Sequence, residues 1–91
     1  MNKERRKTIK ALMPKIGQLE SLARDILEDV KCICYDEQEA YDNYPENFQE
    51  SSNQGIKMAR AIEWLEFAQT DLDNVIDCSY DLNLDLNEAM Q

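Results

Sequence analysis

The sequence predicts an all-α fold, an antiparallel helical hairpin of two long helices that dimerises into a four-helix bundle. The 91-residue chain has only two glycines and two prolines, fewer turn residues than a sheet-rich fold needs. Apolar residues recur at alternating spacings of three and four along both halves, as in helices that pack in bundles. A chain of this length has room for one core, so residues 1–91 are predicted to form a single domain.

Helix 1 is predicted over about residues 4–42. Pro14 has no backbone N–H and its ring clashes with the carbonyl four residues earlier, so we expect either a kink there or a new helix beginning at Pro14. The predicted seam consists of Ile9, Leu12, Ile16, Leu19, Ala23, Ile26, Val30, Ile33, Glu37, Ala40 and Tyr44. Further apolar side chains flank this seam and broaden it; they are Met13, Leu22, Leu27, Cys34 and Tyr41.

A loop is predicted over about residues 43–51, because Pro45 pushes the residue before it out of the helical region. Ser51 and Gln54 have the spacing of a capping box, so helix 2 is predicted to begin there and to cover about residues 52–80. Three residues offer an oxygen for the N-cap of this helix, namely Ser51, Ser52 and Asn53.

The second half repeats the heptad pattern. Ile62, Trp64 and Ile76 flank its seam, and Trp64 with Phe67 is expected to close the hairpin near the loop. Residues 81–91 alternate leucine with Asp and Asn at a period of two, so we expect a tail there and leave its structure open. The predicted seam consists of Met58, Ala61, Leu65, Ala68, Leu72, Val75, Ser79, Leu82 and Leu86.

The width of the apolar faces predicts the homodimer. Each helix carries an apolar face wider than one neighbouring helix can cover. Two helices of about 30 residues also lack the surface-to-volume ratio that a stable core requires. We therefore expect two copies to pair their hairpins into a four-helix bundle.

The net charge of −9 is unevenly distributed. The first 15 residues contain six basic side chains and one acidic one, whereas no Lys or Arg follows Arg60. The acidic second half repels duplex phosphate, so we expect no direct binding to duplex nucleic acid. In the hairpin, the basic start of helix 1 is expected to pair with the acidic end of helix 2, where each charge opposes its own helix dipole.

The residue types argue against catalysis. The chain has no histidine, which excludes imidazole acid–base chemistry and histidine metal sites. The pairs Glu63 with Glu66 and Glu39 with Asp42 have the spacing with which all-helical nucleotide pyrophosphohydrolases hold magnesium, but no phosphate-handling basic set accompanies them. We expect no enzyme activity, no cofactor and no metal site.

The cysteines and the hydropathy indicate an intracellular protein. Cys32, Cys34 and Cys78 are placed too far apart in the hairpin for an intrachain disulfide, so we expect buried free thiols. No apolar run reaches the ~18 residues of a membrane span, and the basic start lacks the apolar stretch of a secretory signal. These features predict a soluble cytoplasmic protein without membrane contact.

One stretch carries a resemblance to a family. It comprises Tyr41, Asp42, Asn43, Tyr44, Pro45, Glu46, Asn47, Phe48, Gln49, Glu50 and Ser51, followed by Gly55, Met58, Ala61, Ile62, Leu65, Glu66 and Ala68. This stretch resembles small acidic helical-hairpin proteins of phages and mobile elements of low-GC Gram-positive bacteria. The resemblance implies an inhibitor of host defence or of host nucleic-acid enzymes. The sequence departs from the pattern at Trp64, Phe67, Gln69 and Thr70, which implies a specialised face there.

Three functions follow from these patterns. The first is a phage-type inhibitor whose acidic helix 2 presents carboxylates to the basic groove of a host protein as DNA phosphates do, through Glu63, Glu66, Asp73 and Asp77. The second is a sponge for a nucleotide immune signal, bound at the basic N-terminal end or the dimer interface by Arg5, Arg6, Lys7, Lys10 and Lys15. The third is a structural scaffold dimer without a ligand.

Overall fold

The computed structural model describes residues 1–91 and confirms the all-helical class. It contains three helices, α1 (Lys3–Asp42), α2 (Glu46–Ser51) and α3 (Asn53–Ala89), and no strand. Helices α1 and α3 correspond to predicted helices 1 and 2. The short helix α2 occupies most of the segment predicted as a loop, and α3 continues through most of residues 81–91, whose structure the sequence left open.

Pro14 lies inside α1 and does not begin a new helix. The ring removes one backbone donor, which leaves the carbonyl of Lys10 without its usual partner. Both Pro14 and Lys10 are exposed, so water can satisfy that carbonyl, while the neighbouring Ile16 is buried and anchors the turn. The prediction of a separate first helix was therefore wrong, and a kink at Pro14 stays a prediction. Asn2 caps α1, because its side-chain oxygen accepts the N–H of Arg5 at 2.9 Å.

The buried stripe of α1 keeps the predicted period but not the predicted phase. Ile16 and Ala23 are buried as expected, whereas Leu12, Leu19 and Ile26 are exposed. The predicted and observed stripes have every seventh residue in common, such as Ile16 and Ala23. After each of these common residues, the next buried or partly buried residue lies four positions later, whereas the predicted seam placed it three positions later. The fully or partly buried residues of the stripe are Ile9, Met13, Ile16, Glu20, Ala23, Leu27, Val30, Cys34, Glu37 and Tyr41.

Helix α3 shows the same change of phase. Met58 and Ser79 are buried as predicted, but Val75 and Leu82 are exposed, and Ile76 is buried in their place. The fully or partly buried residues of this stripe are Gly55, Met58, Ile62, Leu65, Gln69, Leu72, Ile76, Ser79, Asn83, Leu86 and Met90. Each long helix therefore buries one line of residues spaced seven apart, and it leaves a second, apolar line with the same spacing exposed to solvent.

The internal contacts divide the chain into two compact units. Unit 1 comprises Met1–Ile26 and Leu72–Gln91, and unit 2 comprises Leu27–Asp71. The buried residues of unit 1 are Ile16, Ala23, Ile76 and Ser79, and those of unit 2 are Leu27, Gly55, Met58 and Ile62. No large side chain is completely buried in either unit. The prediction of a single domain stays a prediction.

Side-chain hydrogen bonds hold α2 in unit 2. The amide nitrogen of Gln49 donates to the carbonyls of Tyr41 at 2.9 Å and Tyr44 at 3.0 Å, and so satisfies acceptors at the end of α1. Ser52 caps α3, because its hydroxyl oxygen accepts the N–H of Gly55 at 3.0 Å. The predicted capping box does not form, since the Ser51 hydroxyl donates to the Asn47 carbonyl within α2.

Gly55 permits the close approach of α2 to the start of α3. It is buried, and a Cβ atom there would meet the carbonyl oxygen of Phe48 and lie 2.7 Å from that of Gln49. These are backbone atoms of α2, which cannot move aside as a flexible side chain can. Gly17 is the opposite case, because a Cβ atom on it meets nothing within 4 Å.

We expect Gly55→Ala to lower the free energy of unfolding by about 1–3 kcal/mol, because the new methyl group overpacks the α2–α3 contact. Gly17→Ala is the matched control and should raise that free energy by about 1 kcal/mol through helix propensity alone. Urea denaturation followed by circular dichroism measures both. Equal effects of the two substitutions would contradict the close approach at Gly55.

Candidate functional site

The four predicted acidic site residues all lie on α3, and all four are exposed. Glu63 and Glu66 belong to unit 2, and Asp73 and Asp77 to unit 1. Spacings of three and four residues place the two members of each pair on one face of the helix. No basic side chain lies within 4 Å of any of them, since the one ion pair of the structure joins Arg24 and Glu20 at 3.4 Å. Their charge is therefore available to a partner.

An exposed aromatic pair lies beside Glu63 and Glu66 in sequence. Trp64 and Phe67 pack edge to face, with ring centroids 5.6 Å apart and planes at 70°. Trp64 is 70% exposed and Phe67 50%, so the prediction that they close the hairpin was wrong. The phase of the buried stripe explains the difference, because Ile62 and the half-buried Leu65 are its members in this turn. Exposed Trp side chains are enriched among the residues that dominate protein–protein binding.

The basic start of α1 forms an open concavity in unit 1. It brings together three of the predicted anion-binding residues and is lined by Lys3, Glu4, Arg6, Lys7 and Lys10. Arg5 is exposed but does not line this concavity. Lys15 lies elsewhere, at the edge of an apolar groove with Leu12 and Leu82.

The expected ion pairs between the two ends do not form. Instead, the guanidinium Nε of Arg6 donates to the backbone carbonyl oxygen of Met90 at 3.0 Å. This carbonyl follows the last turn of α3, where acceptors lack helical partners and the helix dipole is negative. The basic end of α1 therefore satisfies the backbone of α3, and the acidic side chains stay unpaired.

A second groove in unit 1 contains an unsatisfied polar atom. The groove encloses about 400 Å³ and is lined by Met13, Tyr80, Asn83, Leu84 and Asn87. The side-chain oxygen of Asn83 is buried and accepts no hydrogen bond. A buried acceptor without a donor costs about 1–3 kcal/mol, so the side chain of Asn83 lowers the stability of the fold at this point.

The carboxylates and thiols of the chain are not assembled into a site. No group of three or more Cys, Asp or Glu side chains is placed to hold a metal ion. Cys32 and Cys78 are exposed and Cys34 is half-buried, so the prediction of buried thiols was wrong for the first two. None of the three helices combines the length and apolar composition that crossing a membrane requires.

Comparisons with known proteins give no match: no family model fits the chain, and no curated protein or solved structure is similar to it. The resemblance to small phage proteins therefore stays a hypothesis, and the function has to be argued from the surfaces described above.

We expect Asn83→Leu to raise the free energy of unfolding by about 1–3 kcal/mol, because it removes the unsatisfied buried oxygen. Asn87→Leu is the control on the same groove; Asn87 is exposed, so its substitution should change stability by no more than about 0.5 kcal/mol. Thermal and urea unfolding measure both variants. A loss of stability in Asn83→Leu would show that the Asn83 oxygen has a partner in the folded protein.

Proposed function

We propose that this protein is a non-enzymatic, dimeric helical interaction protein whose α3 docks onto a basic surface of a partner protein. In this proposal α1 and α3 form an antiparallel hairpin, and two hairpins form a four-helix bundle. Two contacts in unit 1 support the antiparallel direction: Arg6 bonds to Met90 near the end of the chain, while Leu19 shares a groove with Val75, which lies further from that end.

One observation carries the docking role, namely the exposed Trp64–Phe67 pair, in which each aromatic residue directly follows an unpaired glutamate, Glu63 or Glu66. An aromatic anchor supplies apolar contact area at low entropic cost, and the charges around it steer a basic partner and select its orientation. A solvated acidic face without a partner would not require an exposed tryptophan. The combination is typical of a protein interface with an aromatic centre and a charged rim.

The charge density of α3 sets limits on mimicry of DNA. Eight carboxylates lie between Glu63 and Glu88, and this segment is ~38 Å long at the helical rise of about 1.5 Å per residue. One helix therefore carries one charge per ~5 Å, against one per about 1.7 Å in duplex DNA. A dimer brings two such helices to one assembly. We infer that the dimer is the form that competes with DNA for a basic groove.

The partner follows from this chemistry and from the resemblance. A DNA-handling or defence protein of a bacterial host carries a basic groove of this kind, and the proposal places the chain in the cytoplasm of that host as a phage-type inhibitor. Inhibition is then the consequence of occupying the groove, and no residue of the chain acts as a catalyst.

A specific observation favours a second candidate function, a sponge for a nucleotide signal. The concavity of Arg6, Lys7 and Lys10 provides positive charge for phosphate groups. The groove with Asn83 begins one turn further along α1, at Met13, and offers the exposed Tyr80 ring to a base. Both features lie in unit 1.

Partner capture tests the first function. We expect simultaneous reversal of Glu63, Glu66, Asp73 and Asp77 to Lys to weaken capture of a host protein by about tenfold or more, because four attractions become repulsions. The matched control reverses Asp25, Glu28, Glu39 and Asp42, which are exposed acidic residues of α1 with the same total charge change. Pull-down from host lysate, followed by affinity measurement on the captured protein, gives the comparison.

Two further arms make this result specific. Raising the salt concentration from about 0.1 M to 1 M should release the partner, since the screening length falls from about 10 Å to 3 Å. Trp64→Ala should weaken binding more than Tyr35→Ala, although Tyr35 is exposed to nearly the same extent, 69% against 70%. Equal binding by the reversed protein with its helicity retained would refute docking through α3.

Calorimetry tests the sponge. Titration with cyclic dinucleotides and ADP-ribose derivatives should give heat of binding to the wild-type protein, and Lys7→Glu with Lys10→Glu should abolish it by removing the charge that holds phosphate. Tyr80→Ala should weaken binding by removing the exposed ring that would stack on a base, while leaving the protein folded. Absence of binding to any of these probes by the wild-type protein eliminates the sponge.

A further inference from the structure

We propose that the exposed apolar face of unit 1 is covered by the same face of a second copy, with α1 of each copy packed against α3 of the other. The apolar face of unit 1 is defined by Leu12, Leu19 and Ile26 of α1 and by Val75 and Leu82 of α3. The inference rests on the dimeric part of the proposed function and assigns the surface and the arrangement of its interface.

The five residues form one surface because their spacing and their shared grooves agree. The three members on α1 are seven residues apart, and so are the two on α3, which places each set on one side of its helix. Leu19 and Leu82 line two adjoining grooves, one with Leu12 and one with Val75. The grooves therefore join the two lines of side chains, which are between 38% and 47% exposed.

The choice of buried stripe points to a reserved surface. The exposed line on α1 is entirely aliphatic, whereas the line that the chain buries in unit 1 contains the half-buried Glu20, and the corresponding line on α3 contains Asn83. A chain that had to hide its most apolar stripe by itself would bury Leu12 and Leu19 first. Their exposure is consistent with a second molecule that removes them from water.

The chain exposes more surface than is expected for its size. It exposes 6994 Å², whereas a folded monomer of 10.6 kDa is expected to expose about 5,500 Å². The excess of about 1,500 Å² is larger than the roughly 800 Å² that each partner buries in a standard protein interface. The chain therefore has enough exposed surface for an interface with a second copy.

The charges beside the face select a second copy and its orientation. Lys15 lies three residues after Leu12 and Asp85 three residues after Leu82, so each borders its stripe on the corresponding side. A two-fold axis parallel to the helices sets α1 against α3 of the second copy, which puts Lys15 and Asp85 on the same edge of the interface and the basic start of α1 against the acidic end of α3. A two-fold axis perpendicular to the helices would instead pack the acidic α3 of one copy against the acidic α3 of the other, which is unfavourable because like charges repel.

Self-association tests the surface. The wild-type protein is expected to sediment as a dimer at micromolar concentration, and Leu19→Asp should raise the dimer dissociation constant at least about a hundredfold, because two leucines lose their cover. Leu84→Asp is the matched control, since Leu84 is 49% exposed against 47% for Leu19 but lines the groove of Asn83 and not the apolar face.

Helicity by circular dichroism verifies that each variant is folded, and Leu12→Gln provides a milder second variant on the same stripe. A wild-type monomer, a dimer that survives both stripe variants, or equal loss in Leu84→Asp overturns the assignment. Docking through α3 is tested by different variants. The stripe variants retain Glu63, Glu66 and Trp64, and the variant with the four acidic residues of α3 changed to Lys retains the residues of the apolar face.

Cysteine crosslinking tests the arrangement. Leu22 and Cys78 each lie three residues after a stripe residue, Leu19 and Val75, and so border the same edge of the face, offset along the axis because the two helices are antiparallel. With Cys32→Ser and Cys34→Ala in the background, Leu22→Cys should form a covalent dimer with Cys78 when treated with a short bis-maleimide crosslinker, which can span that offset. Ser21→Cys is the control, one residue away on the outer side of α1, and should not.

Peptide mapping of the covalent dimer must show the crosslink between residue 22 of one copy and Cys78 of the other. A dimer in solution that forms no such crosslink, or a background protein that links Cys78 to Cys78, overturns the packing of α1 against α3 of the second copy.

Discussion

The structure depends on how each long helix distributes its apolar residues between two lines, each with a seven-residue spacing, of which one is buried and the other exposed. One line is buried within the chain, and it is the less apolar of the two, since it accommodates Glu20, Gln69 and Asn83 at partly covered positions. The core that results is modest: six apolar residues are buried, and no large side chain is completely so. Hydrophobic burial is the main favourable term in folding, so the second line is the largest unused source of stability in the chain.

The sequence was sufficient to predict the period of the helices but not the phase of their buried stripes. Both Leu12 and Met13 continue a heptad that contains Ile9 and Ile16, and hydropathy alone favours the leucine. The structure covers Met13 and exposes Leu12. The sequence pattern of one chain cannot distinguish a residue that packs within that chain from one that packs against another molecule, because both are apolar.

The errors around the loop have local causes. The residues 46–51 contain no apolar periodicity that would reveal a six-residue helix, and α2 is fixed by side-chain hydrogen bonds from Gln49 and by the close approach at Gly55. The exposure of Trp64 was missed because an aromatic residue at helical spacing is usually part of a core. The correct phase places Ile62 and Leu65 in the core on either side of it, so Trp64 points elsewhere.

The apolar face and the acidic side chains of α3 stabilise contacts in physically different ways. Burial of aliphatic side chains is insensitive to salt and supports a lasting contact between copies, which suits the apolar face of unit 1. An exposed ion pair is worth only about 0.2–1 kcal/mol, so the acidic side chains of α3 need either a complementary basic groove or repetition. The proposed dimer would supply the repetition, because it would present two acidic helices in one assembly and make the second contact with a partner effectively intramolecular. In the proposed function, self-association is therefore the step that would convert many weak charges into a usable affinity.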